Sequence, residues 1–228
     1  PTPANYTFLD SDNVIEQFNE VHHKNLIENT DVIFVLDTNE YSRLRTLEPF
    51  IKSSKAKKIL IDHHLGYDPV SGLFDSYIDE TDSPATGEML YKFFKNIAED
   101  SSLDVKDIVT RDMAVALYAA IMTDTGSFKF NRTDSETHDI ISELLSYGLN
   151  PYDIYSEIYN RASLGKLHLL GRFLNKITMI HKGKAAYSVV NQSDFEETQT
   201  DEYAIEGFSS HLMSLETVEL AIVITETK

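Results

Sequence analysis

An apolar run that ends in ionisable side chains constrains the fold more than any other stretch of the chain. Residues 57–64 read Lys-Lys-Ile-Leu-Ile-Asp-His-His. Uninterrupted apolar residues are typical of a strand buried on both faces of a parallel sheet. Burial does not explain three polar side chains at the carboxyl end of such a strand, whereas ligands of open α/β sheets bind there. The stretch therefore predicts a strand that ends in a candidate metal site, formed by Asp62, His63 and His64.

A second apolar run precedes this one and also ends in an acid. Residues 31–37 read Asp-Val-Ile-Phe-Val-Leu-Asp, and residues 41–51 then carry apolar side chains at helical spacing. Strand, helix and strand in this order predict a βαβ unit, whose crossover is right-handed almost without exception. The two strands are then parallel neighbours, so Asp37 is expected at the same edge of the sheet as residues 62–64.

The sequence that follows predicts an α/β fold in which helices flank the sheet. Residues 74–78 are predicted to form a third strand, followed by a helix with Ser83 as its N-cap. A long helix is predicted from Val105 to Met122. Asp124 follows it, where a negative charge opposes the helix macrodipole, and is therefore interpreted as a metal ligand.

Further helices are expected around the predicted sheet and in a smaller second unit. One begins after Asp10 or Ser11, and others cover residues 134–147 and the segment from Pro151. In the second unit, strands are predicted at 177–180, 185–190 and 218–224, with a hairpin turn at 181–184.

Composition excludes several kinds of function. Acidic residues outnumber basic ones by 37 to 20, for a formal net charge of -17. Long duplex nucleic acid is bound through lysine and arginine, so this balance argues against such a partner, although cations held in a site would still admit a small anionic substrate. The absence of cysteine excludes disulfides and thiolate metal ligands. No stretch is apolar enough to span a membrane, so no membrane partner is expected. Together with the absence of cysteine, this suits a reducing cytoplasm.

Three short motifs with polar side chains follow one another along the chain: Asp37, residues 62–64, and Thr123-Asp124-Thr125-Gly126. Their order and spacing resemble the second, third and fourth motifs of the DHH phosphoesterases. Other stretches are similar to the branch of this family that contains oligoribonucleases and phosphatases of 3'-phosphoadenosine-5'-phosphate (pAp). These stretches are residues 116–128, 137–138, 169–171, 206–208 and 218–224, so the resemblance covers nearly the whole chain.

Two motifs of that family are not found. One is the first motif, His-x-x-x-Asp-x-Asp, and the other is a glycine-rich motif with a histidine near the family's C-terminus. We therefore expect a chain trimmed at both ends. The resemblance implies a DHH domain over residues 1–160 without its first βαβ unit, a helical connector over 161–172, and part of a DHHA1-type substrate domain over 173–228.

The resemblance also implies a site for two divalent cations. Asp37 would bridge them, His63 and Asp124 would bind one, and the missing first motif would supply most ligands of the other. Oxygen and imidazole ligands without thiolate suit Mn²⁺, with Mg²⁺ or Co²⁺ as substitutes.

The resemblance assigns catalytic roles to Asp62 and His64. Asp62 would orient an imidazole and support the metal ligand His63. Successive strand residues point to opposite faces, so His64 is expected to contact the substrate phosphate rather than the metal. Lys129 is a second candidate for substrate binding.

The implied function is that of a hydrolase that cleaves short single-stranded RNA and removes phosphate from pAp, using water activated by two metals. One alternative keeps the fold and changes the substrate to pyrophosphate, polyphosphate or a cyclic dinucleotide. Another is a catalytically inactive module that binds nucleotides. The sequence leaves the oligomeric state open, including a homodimer.

Overall fold

The chain forms two compact units that divide after Ile158. The computed structural model describes residues 2–226, apart from the side chains at positions 4 and 69. Within residues 2–226, no helix has the length and apolar character needed to cross a membrane.

The first unit is built on a three-stranded parallel sheet in the order β1-β2-β3. Its strands are β1 (Val32–Leu36), β2 (Lys57–Asp62) and β3 (Ser76–Asp79). The central strand β2 contributes Leu60 and Ile61, which are fully buried. In the register, Leu36 lies beside Ile61. The predicted parallel sheet is confirmed, and the residues that follow β1 and β2 lie at the same edge.

Helices flank this sheet. They are α1 (Glu20–Glu28), α2 (Glu48–Ser53), α3 (Thr86–Asp100), α4 (Val105–Ile108), α5 (Arg111–Asp124), α6 (Ser135–Leu145) and α7 (Pro151–Tyr159). Short 3-10 segments cover Ala4–Leu9, Tyr41–Leu47 and Pro69–Ser71. Helices α3 and α5 approach closely, because a Cβ added at Gly87 would lie 2.9 Å from the Cβ of Ala120.

Two predicted helix starts are wrong. The first helix does not follow Asp10; it begins at Glu20, where the Asn19 side chain accepts the capping hydrogen bonds. Ser83 does not cap α3, which begins at Thr86 without a side-chain cap. The Ser83 hydroxyl donates instead to the carbonyl oxygen of Ala85, at 3.2 Å.

Two predicted helices are interrupted. The helix expected over residues 105–122 breaks into α4 and α5, because the Thr110 side chain caps a new helix by accepting from the N–H of Met113. The crossover expected over residues 41–51 is a 3-10 segment followed by α2, and the 3-10 segment is kinked at Arg45, which has a φ of 52°.

The second unit has a mixed sheet in the order β4-β5-β6. Strands β4 (Thr178–Ile180) and β5 (Ala185–Val190) are antiparallel, whereas β5 and β6 (Leu220–Thr225) are parallel. Helices α8 (Leu164–Asn175), α9 (Gln192–Thr198) and α10 (Phe208–Met213) complete the unit. Its core includes Leu169, Phe173, Phe208 and Leu212. The predicted α/β fold, with a smaller α+β unit after the parallel sheet, is confirmed.

A buried carboxylate in this unit, Asp194, is held between two cations. The Lys176 ammonium contacts one carboxylate oxygen, and Arg172 Nη1 lies 3.6 Å from the other. Burial alone would raise the pKa of Asp194, but the hydrogen bonds from Lys176 and from the backbone N–H of Asn191 hold that pKa below its ordinary value.

Two glycines of α8 are expected to respond in opposite ways to alanine. A Cβ at Gly165 would lie 2.4 Å from the carbonyl oxygen of Thr198, whereas a Cβ at Gly171 would meet nothing within 4 Å. We expect Gly165→Ala to lower the free energy of unfolding of the second unit by about 1–3 kcal/mol. Gly171→Ala should raise it by about 0.5–1 kcal/mol, through helix propensity. Urea unfolding followed by circular dichroism measures both, and changes of the same sign would contradict the packing of α8 on Thr198.

Acid should selectively weaken the ion pairs of Asp194. Because its pKa is lowered in the folded state, its stabilisation is complete above the unfolded pKa of about 3.9 and is lost as the pH falls through the lower folded value. We expect Asp194→Asn to be less stable than the parent by about 1–3 kcal/mol at neutral pH. The difference between the two should begin to shrink as the pH falls below about 3.9 and should disappear below the lowered folded pKa of Asp194, where both carry a neutral side chain. Thermal unfolding at a series of pH values measures the difference in stability between the parent and Asp194→Asn. A difference that does not change with pH would refute this account.

Candidate metal centre

The centre lies where β1 and β2 end. The backbone turns at Asp37 with a φ of 60°, a conformation that aspartate tolerates better than most residues, and its N–H donates to the Ile61 carbonyl at 3.0 Å. The Asp37 carboxylate therefore lies beside the residues that follow β2. One ligand atom each from Asp37, His63 and His64 falls within 4.8 Å of the others.

Both imidazoles reach the same carboxylate. His63 Nε2 lies 3.6 Å from Asp37 Oδ1, and His64 Nδ1 lies 3.9 Å from it. The two rings are 4.8 Å apart between centroids. Strand alternation led us to expect His63 and His64 on opposite faces, but both residues come after the end of β2 at Asp62, where the pleat no longer separates their side chains.

His63 is oriented by a backbone carbonyl. Its Nδ1 lies 3.1 Å from the carbonyl oxygen of Ser83, which can only accept, so we assign the ring proton to Nδ1. The lone pair of Nε2 then points toward Asp37 and toward Asp124, whose Oδ2 is 4.0 Å away. A histidine that donates from one ring nitrogen and presents the other is typical of metal ligands.

Asp62 contacts the other histidine. Its Oδ1 lies 2.7 Å from His64 Nδ1, and the carboxylate is fully buried. The sequence predicted that Asp62 orients an imidazole and that this imidazole is the side chain of His63. The structure places Asp62 against His64, and the Ser83 carbonyl takes the supporting position at His63.

A second carboxylate lies beside Asp62. Asp79 is its partner in the register of β2 and β3. Burial raises the pKa of Asp79, and the neighbouring charge of Asp62 raises it further. Sequence reasoning missed Asp79, because only the strand register brings it beside residue 62.

Asp124 completes the group from another element, as the last residue of α5. Burial raises its pKa and the charge of Asp37 raises it further, while His63 and His64 act in the opposite direction. Carboxylates brought this close repel each other unless a cation lies between them.

Two polar residues that the sequence did not single out for the site hold its parts in place. The Thr86 hydroxyl, at the start of α3, donates to Asp37 Oδ1 at 2.8 Å. The Asn39 side chain is buried and donates to the carbonyl oxygen of His64 at 3.1 Å. The sequence pattern assigned no role in the site to Thr86. Its position after β3, at the same edge of the sheet, was the available indication of a role in the site.

A cavity of about 420 Å³ opens beside the centre. His63 and Asp124 line it, together with Lys129, Phe130 and Arg132 from the segment that follows α5. The exposed Lys129, predicted to bind substrate, thus lines the same cavity as two of the predicted metal ligands.

The donor set suits a divalent cation. Carboxylate oxygens from Asp37 and Asp124 and the Nε2 of His63 converge without any sulfur ligand. Hard or borderline cations such as Mn²⁺ and Mg²⁺ prefer such oxygen and nitrogen ligands. The hydrogen bonds from Thr86 and to Ser83 hold Asp37 and His63 in orientations that leave their lone pairs facing one another.

The DHH family, N-terminal domain, matches residues 4–121. This match covers more than half of the 228 residues and includes Asp37 and residues 62–64. The chain belongs to the DHH family.

The chain is similar to one curated protein of this kind and to two solved structures. It is 28% identical over 134 residues to the bifunctional oligoribonuclease and PAP phosphatase NrnA of Bacillus subtilis (strain 168), a match that covers 58% of this chain and 40% of that protein. An exopolyphosphatase-related protein from Bacteroides fragilis superposes with a TM-score of 0.86 at 25% identity, over 94% of this chain and 61% of that one. A putative family II inorganic pyrophosphatase of Methanococcus jannaschii shares the fold, with a TM-score of 0.51 at 18% identity over 97% and 71% of the two chains. The chain thus spans less than two thirds of the length of the first two proteins.

The hydroxyl of Thr86 is expected to be needed for metal binding. Thr86→Val keeps the shape of the side chain but removes the hydrogen bond to Asp37. We expect it to weaken Mn²⁺ binding about 10- to 100-fold, as the loss of other groups that orient metal ligands does. Thr86→Ser, which keeps the hydroxyl, should restore most of the affinity. Isothermal titration with MnCl₂ measures both variants, and equal affinities for the two would contradict this role.

Proposed function

We propose that this protein is a metal-dependent phosphoesterase that hydrolyses short oligoribonucleotides and pAp. The observation that carries the proposal is the convergence of Asp37, His63 and His64 within 4.8 Å in a chain of the DHH family. The similarity to an oligoribonuclease and PAP phosphatase supports the choice of substrates.

We assign Asp37, His63 and Asp124 as ligands of a divalent cation. Mn²⁺ is the preferred ion, with Mg²⁺ or Co²⁺ as substitutes, because the donors are oxygen and imidazole nitrogen. A second cation, sharing Asp37, is proposed from the family resemblance. When bound, such cations lower the pKa of water and neutralise charge on a phosphoryl group.

His64 and Asp62 act on the substrate side. Asp62 accepts the hydrogen bond from His64 Nδ1, at 2.7 Å, and so fixes the ring. His64 Nε2 remains available, and in the protonated ring its N–H donates to a phosphate oxygen. Lys129 adds a positive charge at the cavity wall, where it attracts the anionic substrate.

The size of the cavity and the charge of the chain support small substrates. About 420 Å³ falls within the range of small-molecule pockets. A formal net charge of -17 opposes the approach of long duplex nucleic acid. We propose that the protein acts in the cytoplasm, with or without forming a homodimer.

Hydrolysis of inorganic pyrophosphate or polyphosphate is the second candidate. It is favoured by the TM-score of 0.86 to an exopolyphosphatase-related protein, and the same site residues would serve it. Cyclic dinucleotides are a further substrate class for this fold. A nucleotide-binding module without catalysis is the alternative of a different kind.

Activity should depend on His63. We expect His63→Ala in the full-length protein to lower Mn²⁺-dependent phosphate release from pAp by more than about 100-fold. Even the groups that merely orient metal ligands contribute 10- to 100-fold. The matched control is His168→Ala, since His168 is exposed on α8. Phosphate release is measured colorimetrically, and cleavage of dinucleotides by chromatography.

Other outcomes would replace the proposed substrate. Intact pAp and dinucleotides together with rapid cleavage of pyrophosphate would favour the inorganic substrates. Binding of pAp without hydrolysis of any of these compounds would favour the inactive module.

A further inference from the structure

The segment that follows α5 is organised around one buried threonine. The Thr125 carbonyl accepts the N–H groups of Lys129 and Phe130, at 3.0 and 3.1 Å. Its hydroxyl donates to Ile121 at 2.7 Å and accepts the N–H of Phe128 at 3.0 Å. These bonds fix the backbone of Lys129 and Phe130. Residues 125–133 are called the 125–133 loop below.

This loop contains unusual backbone. Gly126, Ser127 and Phe128 have φ values of 56°, 62° and 68° in succession. Such a conformation is unfavourable for a bulky residue such as Phe128, and persists where the surrounding structure imposes it, often at functional sites. A Cβ at Gly126 would lie 2.5 Å from Cζ of Phe130, so only glycine allows the Phe130 ring to lie against the turn.

The loop presents an aromatic ring to the solvent. Phe130 remains 54% exposed, although its backbone N–H is hydrogen-bonded to Thr125 and the tip of its ring lies against Gly126. It lines the same cavity as His63 and Asp124. An exposed, fixed aromatic ring beside positive charges is a typical platform for stacking a nucleobase, because every base offers a π-face.

Two cations line the same cavity as this ring. Lys129 Nζ lies 5.7 Å from its centroid, and Arg132 lines the cavity two residues further along the loop. Across residues 2–226, neither Lys129 nor Arg132 forms an ion pair. In a chain with 37 acids and 20 bases, these charges remain available to an anionic ligand. A guanidinium can bind a phosphate through two parallel hydrogen bonds.

The geometry points to a nucleotide subsite on the 125–133 loop, in which a base stacks on Phe130 and Arg132 binds a phosphate other than the one hydrolysed. This inference rests on the proposed phosphoesterase activity and gives it a substrate preference. Nucleotides that carry a second phosphate, or a neighbouring phosphodiester, would engage both groups. Inorganic pyrophosphate and polyphosphate would contact Lys129 and Arg132, but they have no base to stack on Phe130.

A purely packing role for Phe130 makes a different prediction. If the ring only fills space above Gly126, its removal would disturb the loop and weaken every substrate alike. If the ring stacks on a base, its removal would weaken only substrates that have a base. The comparison therefore needs two ligands that differ only in the base.

Phe130→Ala should discriminate between pAp and the same ribose bisphosphate without adenine. We expect an approximately tenfold or greater weakening of pAp binding, as for other bases stacked on aromatic residues, and less than about twofold for the compound without a base. Tyr152→Ala is the matched control, because Tyr152 is 70% exposed on α7, away from the cavity lining. Binding is measured by isothermal titration of the full-length protein, with Ca²⁺ replacing Mn²⁺ and product formation checked in the same samples.

Arg132→Gln should affect phosphate recognition. We expect it to weaken pAp and the compound without a base by about tenfold each, and to weaken adenosine 5'-monophosphate less, because only the bisphosphates present a second phosphate. Arg111→Gln is the control for removal of an exposed arginine from the same unit.

The outcomes separate this inference from the proposed function. Equal effects of Phe130→Ala on the two ligands, or an effect no larger than that of Tyr152→Ala, would overturn the base-stacking subsite even if pAp is hydrolysed. No measurable binding of pAp by the parent protein would also overturn it. The expected binding pattern without hydrolysis in Mn²⁺ would leave the subsite in place and reject the phosphoesterase.

Discussion

The site depends on the parallel pairing of β1 with β2. In this register, Leu36 lies beside Ile61, and the N–H of Asp37 extends the ladder by donating to the Ile61 carbonyl. The first residue after β1 therefore lies beside the imidazoles after β2. A shift of one residue would turn the buried Val35 of β1 toward solvent and bury its exposed neighbours Phe34 and Leu36, so the burial of Val35 also fixes the place of the Asp37 carboxylate. The pairing of β1 with β2 therefore both buries apolar side chains and positions the candidate metal ligand Asp37.

Neighbouring groups then decide what each donor can do. His63 and His64 are adjacent in the chain and contact the same carboxylate, yet they have different partners. The Ser83 carbonyl holds one, which leaves its Nε2 facing Asp37 and Asp124, while the buried carboxylate of Asp62 holds the other. Two similar rings thereby have different hydrogen-bond partners, as the proposed roles of His63 toward a cation and of His64 toward a phosphate require.

The site also shows how an acidic protein can receive an anion. Carboxylates concentrate at the end of the sheet, and burial together with mutual repulsion raises the pKa of Asp124. A divalent cation reverses the sign of this field locally. Lys129 and Arg132 line the same cavity, on a loop whose strained backbone is held by Thr125. Two positive charges thus lie at the cavity, although acids outnumber bases by 37 to 20 in the chain as a whole.

The sequence pattern was enough to predict the parallel sheet and the smaller second unit and, together with the family resemblance, the candidate ligands Asp37, His63 and Asp124. Apolar runs that end in polar residues report burial and strand direction, and both are local properties. Tertiary packing was needed to show that Asp62 contacts His64 and that the Thr86 hydroxyl donates to Asp37. These pairings depend on where a strand stops and on which helix begins beside it, and hydrophobic periodicity locates such boundaries only to within a few residues.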